Sequence, residues 1–159
     1  MRNRIKFSVY SLIITVIVLV LCVVGIFSLL DDASRLIMFC IIMGAATLSG
    51  LFYCPISVEA DNSGIRLNRL LSRSKFFAYA DIGSVDICYP SAAGIRLCGS
   101  GGFFGYWGYF NDIMIGTYFG YYGSRDNCFL IRMKNGRQYV VGCEDAVAMV
   151  GFIKSHIGR

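Results

Sequence analysis

The stretch from Phe7 to Leu30, FSVYSLIITVIVLVLCVVGIFSLL, runs without a single charged side chain. A second apolar run, LIMFCIIMGAATLSGLFY, covers Leu36 to Tyr53, and only the polar segment Asp31–Arg35 separates the two. A helix of about 20 apolar residues crosses the hydrocarbon core of a bilayer, and a short polar loop can reverse the chain between two helices. The sequence therefore predicts a transmembrane helical hairpin in residues 1–55, with helices at about 7–30 and 36–53.

The basic residues that flank these runs predict the orientation of the hairpin. Three of them precede the first run: Arg2, Arg4 and Lys6. Four follow the second run: Arg66, Arg69, Arg73 and Lys75. The connecting loop offers only Arg35, beside two aspartates. Because short segments rich in Lys and Arg stay on the cytoplasmic side, the N-terminus and the C-terminal domain are both expected in the cytoplasm. The alternative role of the first three residues is contact with lipid headgroups.

The second apolar run is rich in small residues, namely Gly44, Ala45, Ala46, Ser49 and Gly50. Ala45 and Ser49 share a helix face, as do Ala46 and Gly50, and small residues at this spacing let helices approach closely in lipid. The expected contact is with the first helix of the same hairpin, and the alternative is a contact between subunits.

Beyond Pro55, apolar and polar residues alternate as they do in β-strands. The clearest pair of strands is Cys128–Lys134 with Arg137–Gly142. Asn135-Gly136 joins them, and this dipeptide is typical of a type I′ turn because both residues tolerate a positive φ.

The chain ends in a predicted helix from Glu144 to Ile157. Its apolar residues fall on one face, as a helix lying on a sheet requires: Ala146, Val150, Ile153 and Ile157. Strands followed by one amphipathic helix make residues 56–159 an expected α+β domain, an antiparallel barrel or sandwich with a helical lid.

Composition excludes several classes of function. The chain has a net charge of +5, but residues 56–159 hold 11 Lys and Arg against 8 Asp and Glu, and this excess of three is too mild for a nucleic-acid-binding surface. None of the seven cysteines is spaced C-x-x-C, which argues against a zinc site or a disulfide framework. No nucleophile has a recognisable base partner. We therefore predict no catalytic, cofactor-binding or metal-binding residue, and do not expect an enzyme.

The most unusual segment is Gly99–Gly123, GSGGFFGYWGYFNDIMIGTYFGYYG, with ten aromatic residues and eight glycines. Three interpretations remain open: tightly bent strands with aromatic side chains in the core, a surface for a protein partner, or a contact with the membrane interface. Ten rings would crowd a small core, so some should reach the surface. The candidate partner or membrane contacts are Phe103, Phe104, Tyr106, Trp107, Tyr109, Phe110, Tyr118, Tyr121 and Tyr122.

The run Gly102–Phe110, with Gly116 and the tyrosines that follow, resembles the bacterial pleckstrin-homology-like domains that follow transmembrane helices. Tyr79–Val85, the late strand pair and the closing helix are similar to that domain in order. The resemblance implies a seven-stranded antiparallel barrel closed at one end by the helix, in a two-pass protein of the bacterial inner membrane. It implies no activity, because this fold carries binders of several kinds.

Two functions are consistent with these expectations. The first is a non-enzymatic scaffold or regulatory module that binds another membrane protein or itself. The alternative is a receptor for a lipid headgroup or for a small ligand. Anionic lipids are among the candidate partners of such a receptor. A receptor should expose a basic cluster at the open mouth of the barrel, whereas a scaffold should expose the aromatic residues of Gly99–Gly123. Besides the bilayer, the expected partner is a protein or a second copy, and not a nucleic acid.

Overall fold

The computed structural model describes residues 1–157. Over these residues the protein is α+β, with two long apolar helices near the N-terminus, ten strands in two sheets and a C-terminal helix. In chain order the elements are β1 (Arg2–Arg4), α1 (Val9–Ser28), α2 (Ala33–Tyr53), β2 (Pro55–Ala60), β3 (Gly64–Arg69), β4 (Lys75–Ala78), β5 (Ile82–Cys88), β6 (Ile95–Gly102), β7 (Gly105–Asp112), β8 (Gly116–Tyr122), β9 (Cys128–Met133), β10 (Gln138–Gly142) and α3 (Ala146–Ile157).

Helices α1 and α2 form the expected hairpin. Asp32 caps α2, since its Oδ1 accepts a hydrogen bond from the Arg35 amide at 3.1 Å. Gly25 of α1 leaves the space that the Phe39 ring of α2 occupies. Mean hydropathy reaches 3.0 in α1 and 2.0 in α2, yet only 6% of either apolar window is buried. Both helices are candidate membrane spans, and their exposed apolar surfaces indicate membrane association.

The ends of this hairpin meet in the first sheet, whose strand order is β1-β2-β3-β4. Strand β1 precedes α1 and pairs antiparallel with β2, which follows α2. The Met1 ammonium group donates to the Ala60 carbonyl at 2.5 Å, and the Ile5 amide donates to the Ile56 carbonyl at 2.9 Å. The segment before the hairpin is therefore part of the same folded unit as the segment after it.

The second sheet has the order β5-β9-β10-β8-β7-β6, with β8 and β10 parallel and all other neighbours antiparallel. Its central strands are buried on both faces. Phe129, Ile131 and Val141 pack in one cluster with the first sheet and α3. The alternate residues Leu130 and Val140 pack in a second cluster on the opposite face. Burial on both faces explains why these strands read as continuous apolar runs.

The expected closed barrel of seven strands is wrong. Within residues 1–157 the strands form sheets of four and six, and neither closes on itself. A short 3-10 turn, Tyr79–Asp81, follows β4 and directs β5 into the other sheet. Closure would require the β6 edge to pair, yet β6 pairs only with β7 and its first five residues are all exposed. The separation into two sheets leaves this edge open.

The β9–β10 hairpin is confirmed, but its turn is not type I′. Phe104 is the only non-glycine residue with a positive φ among residues 1–157, so Asn135 does not adopt that conformation. The Gly136 amide donates to Met133 O and the Met133 amide to Arg137 O, which closes a three-residue loop. Only Gly136, at φ 82°, is left-handed, the arrangement of a type I turn followed by a glycine bulge.

The C-terminal helix is confirmed. It begins at Ala146 because Asp145 acts as its cap: Asp145 Oδ1 accepts from the Ala148 amide at 2.9 Å. Ala146, Val150 and Ile153 are buried against the sheets, as the apolar stripe predicts, and Ile157 is partly buried.

Candidate functional site

The turn between β6 and β7, Gly102-Phe103-Phe104-Gly105, lies against the first turns of α1. The Ser11 hydroxyl is buried, donates to the Gly102 carbonyl at 2.6 Å and accepts from the Gly105 amide at 3.1 Å. One turn further along, the Thr15 hydroxyl accepts from the Phe104 amide at 3.0 Å. Two hydroxyl groups of the helix thus satisfy backbone groups that the turn would otherwise leave unpaired.

The same turn reaches α2 through its two phenylalanines. A Cβ atom at Gly50 would lie 2.8 Å from Phe104 Cδ2 and 3.2 Å from Phe103 Cε1, so glycine makes room for both rings. Phe104 has a φ of 53°, a left-handed conformation that a bulky residue rarely adopts. Such strain persists only where surrounding contacts hold it, and the contacts here come from both helices.

Trp107 continues this contact at the end of α2. Its indole stacks on the Tyr53 ring with centroids 5.0 Å apart and an interplanar angle of 15°. The indole Nε1 donates to the Phe103 carbonyl at 3.2 Å. Trp107 is half-buried, so it joins the domain to the hairpin and presents only part of its ring to the outside.

The structure divides the predicted aromatic contacts into three groups. Five are buried in the domain: Tyr106, Phe110, Tyr118, Tyr121 and Tyr122. Phe103, Phe104 and Trp107 are half-buried at the hairpin. Tyr109 is 53% exposed. The buried rings stack in pairs across neighbouring strands or along one strand, as for Tyr106 on Tyr122 with centroids 5.0 Å apart. Glycines at the intervening positions let the strands bend around these rings.

Burial also changes the acidity of the phenols. It raises the pKa of Tyr118 and of Tyr121 to about 12, because the phenolate would lose its hydration. Burial raises the pKa of Tyr122 as well, and the Tyr118 hydroxyl lies 3.3 Å from the Tyr122 hydroxyl. These groups stay neutral at physiological pH and serve packing.

The small-residue face of α2 points away from α1. Ala45, Ala46 and Ser49 are exposed, and nothing lies within 4 Å of a Cβ atom built on Gly44. Gly50 alone is covered, by the two phenylalanines of the β6–β7 turn.

The basic residues of the N-terminus take part in the fold. Arg2 pairs with Glu59 at 3.1 Å, and Lys6 pairs with Glu144 at 2.6 Å. Arg4 lies opposite Ser57 in the β1–β2 ladder, and its carbonyl accepts from the Glu144 amide at 2.9 Å. The three residues, predicted as topology signals, therefore also contribute contacts that hold β1 in place.

A groove of about 590 Å³ opens beside Tyr53, along the face of the second sheet that carries Phe119 and Tyr121. Two basic residues lie on it, Lys75 at the start of β4 and Arg137 in the turn just before β10. The remaining lining residues are Tyr109, Thr117, Tyr118, Gly136, Gln138 and Tyr139. The sequence reasoning counted Lys75 only as a topology signal and did not single out Arg137 or Gln138.

Lys75 is held in the groove by aromatic rings. Its Nζ lies 4.0 Å from the centroid of the Tyr139 ring and 5.6–5.9 Å from the centroids of Phe77, Phe119 and Tyr121. Rings at such distances attract an ammonium group without neutralising it. Among residues 1–157 no carboxylate lies within ion-pair distance of Lys75 or Arg137. The groove therefore carries uncompensated positive charge.

One buried polar atom of a residue that lines the groove has no partner. Gln138 Oε1 is buried without a hydrogen bond to any group in the described part of the chain. Leaving a buried acceptor unpaired costs about 1–3 kcal/mol, and a ligand that donates a hydrogen bond would relieve that cost once the Gln138 amide turns toward the groove. Positive charge, aromatic walls and a free acceptor suit an anionic ligand that also carries hydroxyl groups.

The buried thiols fit a structural role. Desolvation raises the pKa of Cys88 to about 12 and that of Cys143 to about 11, which keeps both protonated and weakly nucleophilic. Within residues 1–157 no group of three or more His, Cys, Asp or Glu side chains is arranged to hold a metal ion.

Comparison of the chain with protein-family models, with curated proteins and with solved structures finds no match. The likeness to pleckstrin-homology-like domains therefore stays a prediction from the sequence.

Proposed function

We propose that this chain is a non-enzymatic binding module of the bacterial inner membrane, whose groove takes an anionic ligand. The hairpin anchors the domain, with the N-terminus and the C-terminal domain both in the cytoplasm. The pairing of β1 with β2 supports a common side for the two ends, because the strands flank the hairpin and cannot pair across a bilayer. The excess of Lys and Arg outside the loop supports the cytoplasmic side.

The observation that carries the proposal is the position of Lys75 in the groove. Its charge is unpaired in the described chain, four aromatic rings fix its place, and Arg137 and Gln138 line the same groove. Five of the nine aromatic residues predicted as contacts are core residues. This burial removes most of the surface that the scaffold interpretation requires and favours the receptor interpretation.

The ligand is expected to combine a phosphate with hydroxyl groups. Lys75 and Arg137 would pair with the phosphate through charge-assisted hydrogen bonds, and Gln138 Oε1 would accept from a hydroxyl. Tyr53 ends α2 and lines the groove, so a lipid headgroup could reach it from the membrane. A free glycerol phosphate has the same chemistry.

Trp107, the only tryptophan, reports on the groove because it stacks on Tyr53. The purified protein in neutral detergent is titrated with short-chain phosphatidylglycerol, glycerol phosphate or short-chain phosphatidylcholine while its fluorescence is followed. We expect a saturable change with the first or the second and none with the third. Saturation by glycerol phosphate identifies a free small molecule as sufficient, whereas a response to phosphatidylglycerol alone identifies the lipid.

The matched variants are Lys75→Gln and Lys134→Gln. Lys134 is exposed in the β9–β10 turn and does not line the groove. Lys75→Gln should weaken binding roughly tenfold, which corresponds to the loss of about one charge-assisted hydrogen bond, and Arg137→Gln should act in the same direction. Lys134→Gln should leave the affinity unchanged. No response to either anionic ligand, or equal losses in the two lysine variants, would contradict the proposal.

The second candidate function is the scaffold that binds a second copy or another membrane protein. It is favoured by the small residues of α2 that point away from α1 and by apolar side chains exposed on β6 and on the β7–β8 hairpin: Ile95, Leu97, Tyr109, Ile113 and Met114. If the chain self-associates through α2, Ser49→Leu should convert the oligomer into a monomer in mild detergent. Ile42→Leu, also on the exposed surface of α2, is the control. A wild-type protein that is monomeric by light scattering would exclude self-association.

The orientation can be tested separately with reporter fusions. A reporter placed after Arg159 should behave as cytoplasmic, and one inserted in Asp31–Arg35 as external. A C-terminal reporter found outside the cytoplasm would overturn the orientation and leave the ligand assignment to be tested by the titration.

A further inference from the structure

The loop between β3 and β4, Leu70-Leu71-Ser72-Arg73-Ser74, is fastened to the end of α2. The Leu70 amide donates to the Cys54 carbonyl at 3.0 Å. The Ser72 hydroxyl donates to the Phe52 carbonyl at 2.8 Å. Both acceptors belong to the last turn of α2 or its C-terminal cap, where the helix leaves carbonyl groups without intrahelical partners. The loop is therefore held beside the C-terminal end of α2, where that helix would leave the membrane.

Its two leucines face outward. Leu70 is 47% exposed and Leu71 is 55% exposed. Polar residues are the usual choice at the tip of a tight connection, and each apolar side chain that leaves water gains roughly 25 cal/mol per Å² of buried area. Phe52 of α2 is exposed close by. The apolar surface of the helix thus continues onto the loop.

Basic residues flank the leucines. Arg69 Nε and Nη2 both donate to the Arg73 carbonyl, at 3.2 and 2.5 Å, and these bonds close the loop. Among residues 1–157 neither Arg69 nor Arg73 forms an ion pair with a carboxylate. Arginine pairs with phosphate through several donors at once, and a nearby anionic leaflet attracts each such charge.

We propose that the Leu70–Ser74 loop is a bilayer contact: its two leucines enter the interface of the leaflet in which α2 ends, and Arg69 and Arg73 meet anionic lipid phosphates there. The occupant of this surface is lipid, because the loop is bonded to the end of a candidate membrane span and combines exposed apolar and basic side chains. The inference goes beyond the proposed function and does not depend on a ligand in the groove. Lys75 directly follows the loop, so the contact would also fix the start of β4, and with it one wall of the groove, close to the lipid.

The test places a single tryptophan on the loop of the full-length chain. Trp107→Phe removes the native indole, and Leu71→Trp or Ile113→Trp adds one. Ile113 is the matched control because it is an aliphatic residue in the β7–β8 turn, 95% exposed, and separated from the hairpin by the length of β7. Each protein is placed in lipid nanodiscs of phosphatidylcholine and phosphatidylglycerol, with or without bromine on the acyl chains.

The indole at position 71 should emit at shorter wavelength than the one at position 113 and should lose intensity when the acyl chains carry bromine. Emission at position 71 that matches position 113 and is not quenched would overturn the proposal. A second measurement uses the unaltered chain, in case Trp107→Phe disturbs the fold. Trypsin should cleave after Arg73 more slowly than after Lys134, which is exposed and does not line the groove, in these nanodiscs, and Leu70→Ser with Leu71→Ser should remove the difference.

The charge on the lipid tests the arginines separately. Replacing phosphatidylglycerol by phosphatidylcholine should speed cleavage after Arg73 several-fold while cleavage after Lys134 stays the same. Equal rates in the two lipids would overturn the role given to Arg69 and Arg73.

Discussion

Two antiparallel hairpins of the second sheet, β6–β7 and β9–β10, differ in what determines their turns. The β9–β10 turn lies in solvent, and its backbone bonds stay within Met133–Arg137 apart from one from Lys134 to Asp81. Nothing lies within 4 Å of a Cβ atom built on Gly136. The β6–β7 turn instead donates to and accepts from the hydroxyl groups of α1 and covers Gly50 of α2.

The difference shows how a local and a long-range requirement leave different marks on a sequence. A free turn uses the residues that its own backbone prefers, as Asn-Gly does. A turn held by another element can contain residues that its backbone disfavours, as Phe104 does at a φ of 53°. The aromatic residues of the β6–β7 turn are there because of the helical hairpin.

The largest expected effect is a difference in the free energy of unfolding when one glycine of each hairpin is replaced by alanine. Gly108→Ala adds a Cβ atom that would clash with the Cys98 carbonyl, at a φ of 118°. Gly136→Ala adds one in open space at a φ of 82°. We expect the first to lower the free energy of unfolding by more than about 3 kcal/mol and the second by about 1 kcal/mol. Thermal melting of both variants in the same detergent measures the two losses of stability. Equal losses would contradict the difference proposed between the two hairpins.

The next effect concerns β8, which lies between β7 and β10 and carries Tyr118 and Tyr121 on opposite faces. Burial raises the pKa of each to about 12, from an ordinary value of 10.0. Above pH 10 the unfolded chain releases these protons and the folded chain keeps them, so stability is complete below pH 10 and falls as the pH approaches 12. At pH 11 the loss should be about 1.4 kcal/mol for each tyrosine. Tyrosinate absorbance measures the titration, and ionisation near pH 10 in the folded protein would contradict the burial.

A smaller effect is expected from the hydroxyl that holds the β6–β7 turn. Ser11→Ala leaves the Gly102 carbonyl and the Gly105 amide without this partner, at a cost of about 1–2 kcal/mol. The control is Ser49→Ala, because the Ser49 hydroxyl bonds only the Ala45 carbonyl of its own helix and is exposed. Its effect should be below about 0.5 kcal/mol. Chemical denaturation of both variants decides whether the two serines differ.

Much of the fold follows from local patterns. The two apolar runs, the β9–β10 strands and the stripe of α3 each have a period or a turn signal that the sequence shows directly. Strand β1 has neither a period nor a turn signal, because three residues are too few to show one. Its pairing with β2 depends on the helical hairpin, which brings both ends together. The open arrangement of two sheets was missed because alternation predicts strands and not their partners.

The candidate site was harder to predict for the same reason. The groove joins Tyr53, Lys75 and Arg137–Tyr139, which are far apart in the chain, and no spacing rule connects them. The aromatic-glycine segment was found because its composition is unusual, yet composition could not separate the buried Tyr122 from the exposed Tyr109. Only the folded structure shows which face of each strand is covered by the helices or by the other sheet.

The most direct test of the account is amide hydrogen exchange at the two turns of the full-length protein in nanodiscs. The Phe104 and Gly105 amides bond Thr15 and Ser11 of α1, and they should exchange far more slowly than the amides of the solvent-exposed Asn135–Arg137 turn. Ser11→Ala combined with Thr15→Val should remove that protection and leave the β9–β10 turn unchanged. Fast exchange at both turns in the unaltered protein would contradict the claim that the hairpin holds the β6–β7 turn.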